Sequence, residues 1–269
     1  MKVSFSTGSF YHLPLKFSFT LARELGFDGV ELVASPEFML RGPMYVRQLA
    51  ADYNVSLLSF HPPLFNLPGW RYRAGDHVAK IVHSAYALGC PVATVHTLKK
   101  TPLSAPAAQC YLRALIEAPA ATNGTVTVLV ETSQYNTRRR PPRKPGKHEM
   151  DDIRRLVAFT EQHHLGITLD TAHAGASGED LLATYAVVRP RLRNIHFSDV
   201  LPGWREMRTH LRPGQGMLPI PAFLQALACD GYTGLLTLEI APQHLRAWSL
   251  KEARRYLAAA LELTRRYST

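Results

Sequence analysis

Short apolar runs alternate along the chain with longer segments in which apolar residues recur at helical spacing. The short runs are rich in β-branched and aromatic residues, and we predict them as β-strands. The eight predicted strands are Val3–Ser6, Gly29–Val33, Val55–Phe60, Val92–His96, Thr125–Glu131, Gly166–Asp170, Arg193–Phe197 and Leu235–Ile240. Repeated strand–helix units of this kind indicate a parallel sheet covered by helices.

The segments between the strands predict helices, several of which end at a glycine-containing turn, as helices that lead into strands do. The predicted helices are Lys16–Leu25, Met44–Tyr53, Ala74–Leu88, one within Ala105–Ala121, Met150–His164, Asp180–Val188, Pro221–Cys229 and Leu250–Tyr267. Eight strands, each followed by a helix, with no break in composition that would mark a linker, favour one closed barrel over two doubly wound domains. The expected fold class is α/β, a single (β/α)8 TIM-barrel domain over residues 1–269.

Composition fits a folded globular chain, because 46% of the 269 residues are hydrophobic and 19% are charged. The net charge of +10 favours anionic partners such as phosphate esters or nucleic acid. The cysteines are odd in number and far apart, at Cys90, Cys110 and Cys229, so we expect neither a disulfide framework nor a zinc knot, and a cytoplasmic location. No signal peptide and no apolar run of about 18 residues is evident, which predicts no membrane association.

One segment interrupts the alternation after the fifth predicted strand. It runs from Arg138 to Lys147, is basic and proline-rich, and contains no apolar residue other than proline. This composition predicts a solvated surface loop. A loop after a barrel strand lies on the rim where such barrels have their active sites, so attraction of an anionic substrate is the second interpretation.

Side chains of metal-ligand type stand at or near the C-terminal ends of the predicted strands. They are Glu31, His61, His96, Glu131, Asp170, His196 and Glu239. A parallel barrel brings these ends to one mouth, and carboxylates buried there need a positive partner. No Lys or Arg stands at a predicted strand end, so a divalent cation is the simplest partner. Carboxylates with imidazole suit Mn²⁺, Co²⁺, Mg²⁺ or Zn²⁺, and the additional histidines favour zinc.

Five runs of residues carry a resemblance to a known superfamily. They are Gly26–Leu32 (GFDGVEL), Leu169–His173 (LDTAH), Asn194–Asp199 (NIHFSD), His210–Gly216 (HLRPGQG) and Leu236–Ile240 (LTLEI). In this order they resemble the xylose isomerase-like TIM barrels. That superfamily includes sugar and sugar-phosphate isomerases and epimerases, inosose dehydratases, hydroxypyruvate isomerases and endonuclease IV. The resemblance runs from about Val3 to Ile240, and it is more specific for the superfamily than for any one member.

The resemblance implies one shared metal site, whose ligands would be Glu131, Asp170, His196 and Glu239. It also implies that His61 and His96 match two further zinc ligands of endonuclease IV, although many isomerase relatives have histidines there. His173 matches a position that binds substrate in the epimerases and an additional zinc in the nuclease. His210 matches a histidine found in both branches.

Two positions depart from the family pattern. Endonuclease IV has an Asp two residues before the histidine that His210 matches, and this chain has Arg208 there. A guanidinium would repel a third zinc ion and would donate two parallel hydrogen bonds to a substrate phosphate or carboxylate. The isomerase-type Gly-Glu-Gly is Gly214-Gln215-Gly216 here, so any role of that carboxylate is lost.

Two functions follow as hypotheses. The first is a divalent-metal-dependent isomerase or epimerase acting on a small sugar or sugar phosphate through an enediolate, with Glu131 and Glu239 as base and acid. In it, His173, Arg208 and His210 would bind substrate. The second is an endonuclease IV-like zinc phosphodiesterase acting on abasic DNA, which the histidines and the positive charge favour and Arg208 disfavours. A dehydratase and a barrel that binds without catalysis are further alternatives. The sugar, the metal (Zn or Mn before Co or Mg) and the oligomeric state stay open.

Overall fold

The computed structural model describes residues 1–65, 67–68, 70, 74–97, 104–133, 153–202 and 208–267. Within this part of the chain the strands are β1 (Lys2–Ser6), β2 (Gly29–Val33), β3 (Leu57–His61), β4 (Val92–His96), β5 (Thr127–Glu131), β6 (Gly166–Asp170), β7 (Leu192–Phe197), β8 (Asp199–Leu201), β9 (Arg208–Leu211) and β10 (Leu235–Leu238). The helices are α1 (Leu15–Leu25), α2 (Pro36–Tyr53), α3 (Ala74–Leu88), α4 (Pro106–Ala121), α5 (Ile153–Gln162), α6 (Thr171–Ala176), α7 (Leu181–Val188), α8 (Ile220–Cys229), α9 (Pro242–Leu245) and α10 (Leu250–Arg265). Short 3-10 helices cover Thr7–Phe10 and Arg189–Arg191.

Eight strands close into a parallel barrel in the order β1-β10-β7-β6-β5-β4-β3-β2. The remaining two, β8 and β9, form an antiparallel hairpin after β7. The predicted (β/α)8 barrel is therefore confirmed. Because all eight barrel strands run in the same direction, their C-terminal ends meet at one mouth.

The predicted elements differ from the observed ones mainly at their ends. The third strand includes His61, and the eighth barrel strand ends at Leu238, so that Glu239 directly follows it. Helix α2 consists of two helical segments that meet at Gly42, whose φ of 75° is not helical. The second segment begins next to the predicted start at Met44. The first segment was not predicted, and Ser35 caps it by accepting a hydrogen bond from the backbone N–H of Phe38. The hairpin and α6 are absent from the prediction. The basic segment 138–147 and the predicted start of α5 at Met150 lie outside the described residues.

The GFDG part of the first family motif closes the connection between α1 and β2. Gly26 ends α1 in the left-handed conformation, at φ 76°. Phe27 packs edge-on against Phe5 of β1, with ring centroids 5.0 Å apart. The carboxylate of Asp28 accepts a hydrogen bond from the N–H of Val3 at 2.7 Å. A Cβ on Gly29 would lie 2.4 Å from a backbone oxygen, so this close approach of β2 to β3 requires glycine.

The candidate ligands lie on the inward face of the barrel, next to a layer of mostly polar side chains. In six strands a buried residue stands two positions before the ligand candidate, in the pairs Ser59/His61, Thr94/His96, Leu129/Glu131, Thr168/Asp170, Asn194/His196 and Thr237/Glu239. Residues two apart on a strand share a face. The hydroxyls of Thr94 and Thr168 lie 3.3 Å apart although β5 separates their strands, which places both inside the barrel. Strand periodicity therefore directs the ligand candidates inward at the mouth.

Helices of the described part are all too short or too polar to cross a membrane.

Candidate metal centre

The four residues expected to share one ion lie together at the mouth. Glu131 and Asp170 end β5 and β6, His196 is on β7 and Glu239 follows β10. Each offers one ligand atom, and these atoms all lie within 4.8 Å of one another. The side chain of Glu239 is 16% exposed while the other three are buried, so the group meets solvent on the β10 side.

A second group of ligand type shares Glu131 with the first. Its other members are His61 and His96, the last residues of β3 and β4. Glu131 Oε2 lies 3.1 Å from Nε2 of His96 and 3.5 Å from Nε2 of His61, and the two nitrogens are 3.0 Å apart. Both histidines therefore stand at the same mouth as the first group.

A third group consists of Asp170, His173 and His210, and a fourth joins His61 of the second group to His196 and Glu239 of the first. Asp170 caps α6 by accepting a hydrogen bond from the N–H of His173 at 2.8 Å, and this cap fixes where His173 leaves the helix. The ring of His210, on β9, lies 5.5 Å from the ring of His173. Sequence reasoning named both histidines for substrate binding and missed their grouping with Asp170. The Asp-x-x-His spacing of an N-capped helix is the signal that could have indicated it.

Asp199 holds the hairpin that brings His210 to the mouth. Its buried carboxylate accepts hydrogen bonds from four backbone N–H groups, those of Val200, Gly214, Gly216 and Leu218. A Cβ on Gly216 would lie 2.2 Å from Asp199 Oδ1, so the loop closes around the carboxylate only with glycine there. The Asp of the NIHFSD run and the glycines of the HLRPGQG run thus have a structural role beside the ligands.

Buried polar atoms at the mouth fit a bound cation. One atom from each member of the first group lacks a hydrogen-bond partner among the described residues, namely Glu131 Oε2, Asp170 Oδ2, His196 Nδ1 and Glu239 Oε2. His196 Nδ1 lies 2.9 Å from Glu239 Oε2, yet the two atoms do not have hydrogen-bond geometry. Buried polar atoms are normally satisfied, and three carboxylate oxygens with one imidazole nitrogen suit a divalent ion. The donor set therefore fits the metal that the sequence predicts.

The histidines are oriented by acceptors behind them. Nδ1 of His61 lies 2.7 Å from the backbone oxygen of Pro62, and Nδ1 of His173 lies 2.9 Å from that of Thr132. A carbonyl oxygen only accepts, so in both rings Nδ1 carries the proton. Nε2 is then the nitrogen available to a metal or a substrate oxygen, as in metal sites whose ligand orientation is fixed from behind.

Opposite charges set the ionisation of the centre. Burial by itself would raise the pKa of Glu131, but the neighbouring His96 and His196 hold it well below its ordinary value. Burial by itself would lower the pKa of His196, but the charges of Glu31 and Glu239 raise it well above its ordinary value. The protein without metal thus balances its buried carboxylates with imidazolium groups. Metal uptake has to displace those protons.

Two further candidates belong to none of the ligand groups. Glu31 is fully buried and contacts His196 and Ser59. Arg208 is exposed at the start of β9. Among the described residues, no hydrogen bond or ion pair joins it to a member of the third group. Arg208 instead acts on His244. Burial lowers the pKa of His244, and the charge of this guanidinium lowers it further. Repulsion of a third zinc by Arg208 stays a prediction.

The chain matches the sequence profile of the xylose isomerase-like TIM barrels over residues 19–267 and belongs to that family. An uncharacterized protein of Mycobacterium tuberculosis is 28% identical over 284 residues, covering 98% of this chain and 97% of the relative. Fructoselysine 3-epimerase of Escherichia coli O157:H7 is 22% identical over 286 residues, covering 97% and 96%. The structure of D-psicose 3-epimerase from Clostridium cellulolyticum H10 superposes with a TM-score of 0.73 at 16% identity, covering 100% of this chain and 99% of that one. At that identity the superposition shows a shared fold.

Proposed function

We propose that the protein is a divalent-metal-dependent isomerase or epimerase acting on a small sugar or sugar phosphate through an enediolate. The observation that carries the proposal is the pairing of Glu131 and Glu239 in one ligand group. Their strands, β5 and β10, stand three positions apart around the eight-stranded ring. The two carboxylates therefore reach the common centre from different sides of the barrel wall, as a base and an acid that serve two faces of one carbon must.

The proton next to a sugar carbonyl is too weakly acidic for an unaided carboxylate. A divalent ion held by Glu131, Asp170, His196 and Glu239 would supply Lewis-acid polarisation of the carbonyl. Glu131 is ionised at neutral pH in the protein without metal, because the neighbouring His96 and His196 hold its pKa well below the ordinary value. A bound divalent ion would supply the positive charge in their place and keep Glu131 ionised, so that it can accept a proton. Burial by itself would raise the pKa of Glu239, but the charges of His196 and His210 hold it below its ordinary value, so Glu239 would first take up a proton from solvent and then return it to the carbon.

His173 and His210 would position the substrate. His173 donates from Nδ1 to the carbonyl of Thr132, which leaves Nε2 for a substrate oxygen. His210 lies beside it on the hairpin, with Arg208 two residues before on the same strand. Arg208 would meet an anionic group, such as a phosphate, at the outer end of a substrate. Among the named relatives, an epimerase of a sugar derivative and a ketose epimerase support this class of substrate.

An endonuclease IV-like zinc phosphodiesterase acting on abasic DNA is the second candidate. The second ligand group favours it, because His61, His96 and Glu131 could hold another ion beside the first. Two neighbouring ions that stabilise attacking and leaving oxygens are the usual arrangement for phosphodiester cleavage. The positive net charge of +10 is compatible with DNA, although it serves a sugar phosphate equally.

One experiment separates the two functions. The purified protein is supplied with zinc or manganese, and incorporation of solvent deuterium is followed for a panel of ketoses and ketose phosphates, in parallel with cleavage of an abasic-site duplex. We expect metal-dependent exchange and no incision. Glu131→Gln should slow exchange by at least about 100-fold, as loss of a general base does. Incision without any exchange would overturn the proposal.

A further inference from the structure

Glu31 is a buried carboxylate that belongs to none of the ligand groups. It lies on β2 within the GFDGVEL run and is fully buried. Its Oε2 lies 3.0 Å from Nε2 of His196, and the hydroxyl of Ser59 donates to the same oxygen at 2.9 Å. Oε1 has no hydrogen-bond partner within the described residues. An ionised carboxylate so placed is costly unless a positive group balances it.

The contact with His196 joins Glu31 to the metal centre. Nε2 of the ring faces Glu31, while Nδ1 faces Glu239 Oε2 at 2.9 Å and Glu131 Oε1 at 3.6 Å. An ionised carboxylate only accepts hydrogen bonds, so the nitrogen facing Glu31 carries the proton. The lone pair of the neutral ring is then on Nδ1, the atom that lacks a hydrogen-bond partner at the mouth.

We propose that Glu31 is a positioning residue that holds His196 in the Nε2-protonated tautomer, so that Nδ1 is presented to the divalent ion. The inference rests on the proposed function, which puts that ion among Glu131, Asp170, His196 and Glu239. The other oriented histidines bond to backbone carbonyls, which are neutral. His196 instead has a carboxylate behind it at 3.0 Å, and a carboxylate both fixes the ring and increases its basicity as a ligand.

The position of Glu31 also gives its charge a second effect. It lies behind the ligands, on the polar layer of the barrel, where little solvent screens it. A negative charge close to the centre adds to the attraction for a cation without occupying a coordination position. Replacing Glu31 by Gln keeps the size of the side chain and removes that charge. An amide can also turn its N–H groups toward His196 and favour the opposite tautomer.

Metal affinity and ring protonation test the role directly. Zn²⁺ and Mn²⁺ affinities are measured by competition with a chelator for the wild type, Glu31→Gln and Glu31→Ala. Histidine-labelled, zinc-loaded samples are examined by long-range ¹H–¹⁵N NMR for the tautomer of His196. We expect a 10–100-fold loss of metal affinity in both variants, in line with the loss of an outer partner of a metal ligand. In the wild type, the Nε2 proton should be in slow exchange with water.

Two control variants isolate the effect from general damage to the polar layer. Ser59→Ala removes the other hydrogen bond to Glu31, and Thr94→Val changes a buried hydroxyl that bonds to Thr168. Both should bind metal nearly as the wild type does, and circular dichroism should show every variant folded. An equal loss of affinity in Thr94→Val and Glu31→Gln would overturn the positioning role.

The outcomes separate this inference from the proposed function. If the wild type binds metal tightly and both Glu31 variants bind it equally well, the positioning role is wrong and the proposed function stands. If the wild type takes up no metal, the proposed function is wrong. In that case the hydrogen bond between His196 and Glu31 is tested by the slowly exchanging imidazole proton of His196. Its presence in the wild type and loss in Glu31→Ala support the bond, and its absence in the wild type overturns it.

Discussion

Glu131 should govern metal binding at both neighbouring positions of the mouth, because it belongs to the first group and to the group with His61 and His96. Glu131→Gln takes a carboxylate from the four-residue group and from the group with His61 and His96. An ion present at 100 times its Kd stabilises the folded state by about 2.7 kcal/mol. For a chain of this size, each kcal/mol raises the Tm by roughly 2–4 °C. Each occupied site should therefore raise the Tm by about 5–10 °C, and Glu131→Gln should abolish the whole increase.

The assay compares thermal unfolding with and without a chelator, alongside metal content by mass spectrometry. Glu239→Gln removes a ligand from the first group and leaves the second intact, whereas His96→Gln removes one from the second and leaves the first intact, so each should keep the stabilisation that the other group provides. Glu179→Gln changes a half-buried carboxylate outside all of the ligand groups and should respond to metal as the wild type does. A Glu131→Gln protein that retains its metal and the full increase in Tm would refute the shared-ligand reasoning.

Three further predictions concern the scaffold. Asp199→Asn should lower the free energy of unfolding, measured in urea, by about 2–3 kcal/mol, since an amide cannot accept all four backbone hydrogen bonds; an unchanged midpoint would contradict this. Native protein should react at two thiols, the exposed Cys110 and Cys229, because burial followed by the charge of Glu31 raises the pKa of Cys90 to about 12; a third fast thiol would contradict this. Burial, with nearby cations, lowers the pKa of His77 to about 4, so the unfolded chain takes up a proton between pH 6.5 and 4 that the folded chain does not. Stability should therefore fall over that range, by up to about 3 kcal/mol, and His77→Gln should reduce the slope.

The barrel and the first ligand group could be predicted because they follow from local patterns. Strand periodicity placed Glu131, Asp170 and His196 at strand ends, and parallel topology brought those ends together. Glu239 also lies at the mouth, although β10 ends at Leu238, two residues before the predicted end. An error of a residue or two in the end of a strand does not change which side chains are predicted to face inward, because inward-facing positions recur at every second residue.

The hairpin of β8 and β9 could not be predicted in this way. Its strands have three and four residues, and the bonds that hold it converge on the side chain of Asp199 from residues up to 19 positions away. Neither apolar alternation nor a turn signal encodes such a contact. For the same reason, sequence reasoning gave Glu31 no role. Its partners Ser59 and His196 are 28 and 165 residues distant and become neighbours only when the barrel closes.

The choice between isomerase and nuclease depends on the parts of the mouth that differ between family members. The four-residue group is what the family resemblance implies for both branches, so its presence does not discriminate between them. The group of His61, His96 and Glu131 would favour a second ion, whereas the pair of carboxylates on β5 and β10 favours proton transfer at carbon. Glu131 is common to both arrangements, and a carboxylate that bridges two ions has fewer free lone pairs to act as a base. Metal stoichiometry at saturating zinc therefore bears directly on mechanism: one ion leaves Glu131 available for proton transfer, and two ions would restrict that role to Glu239.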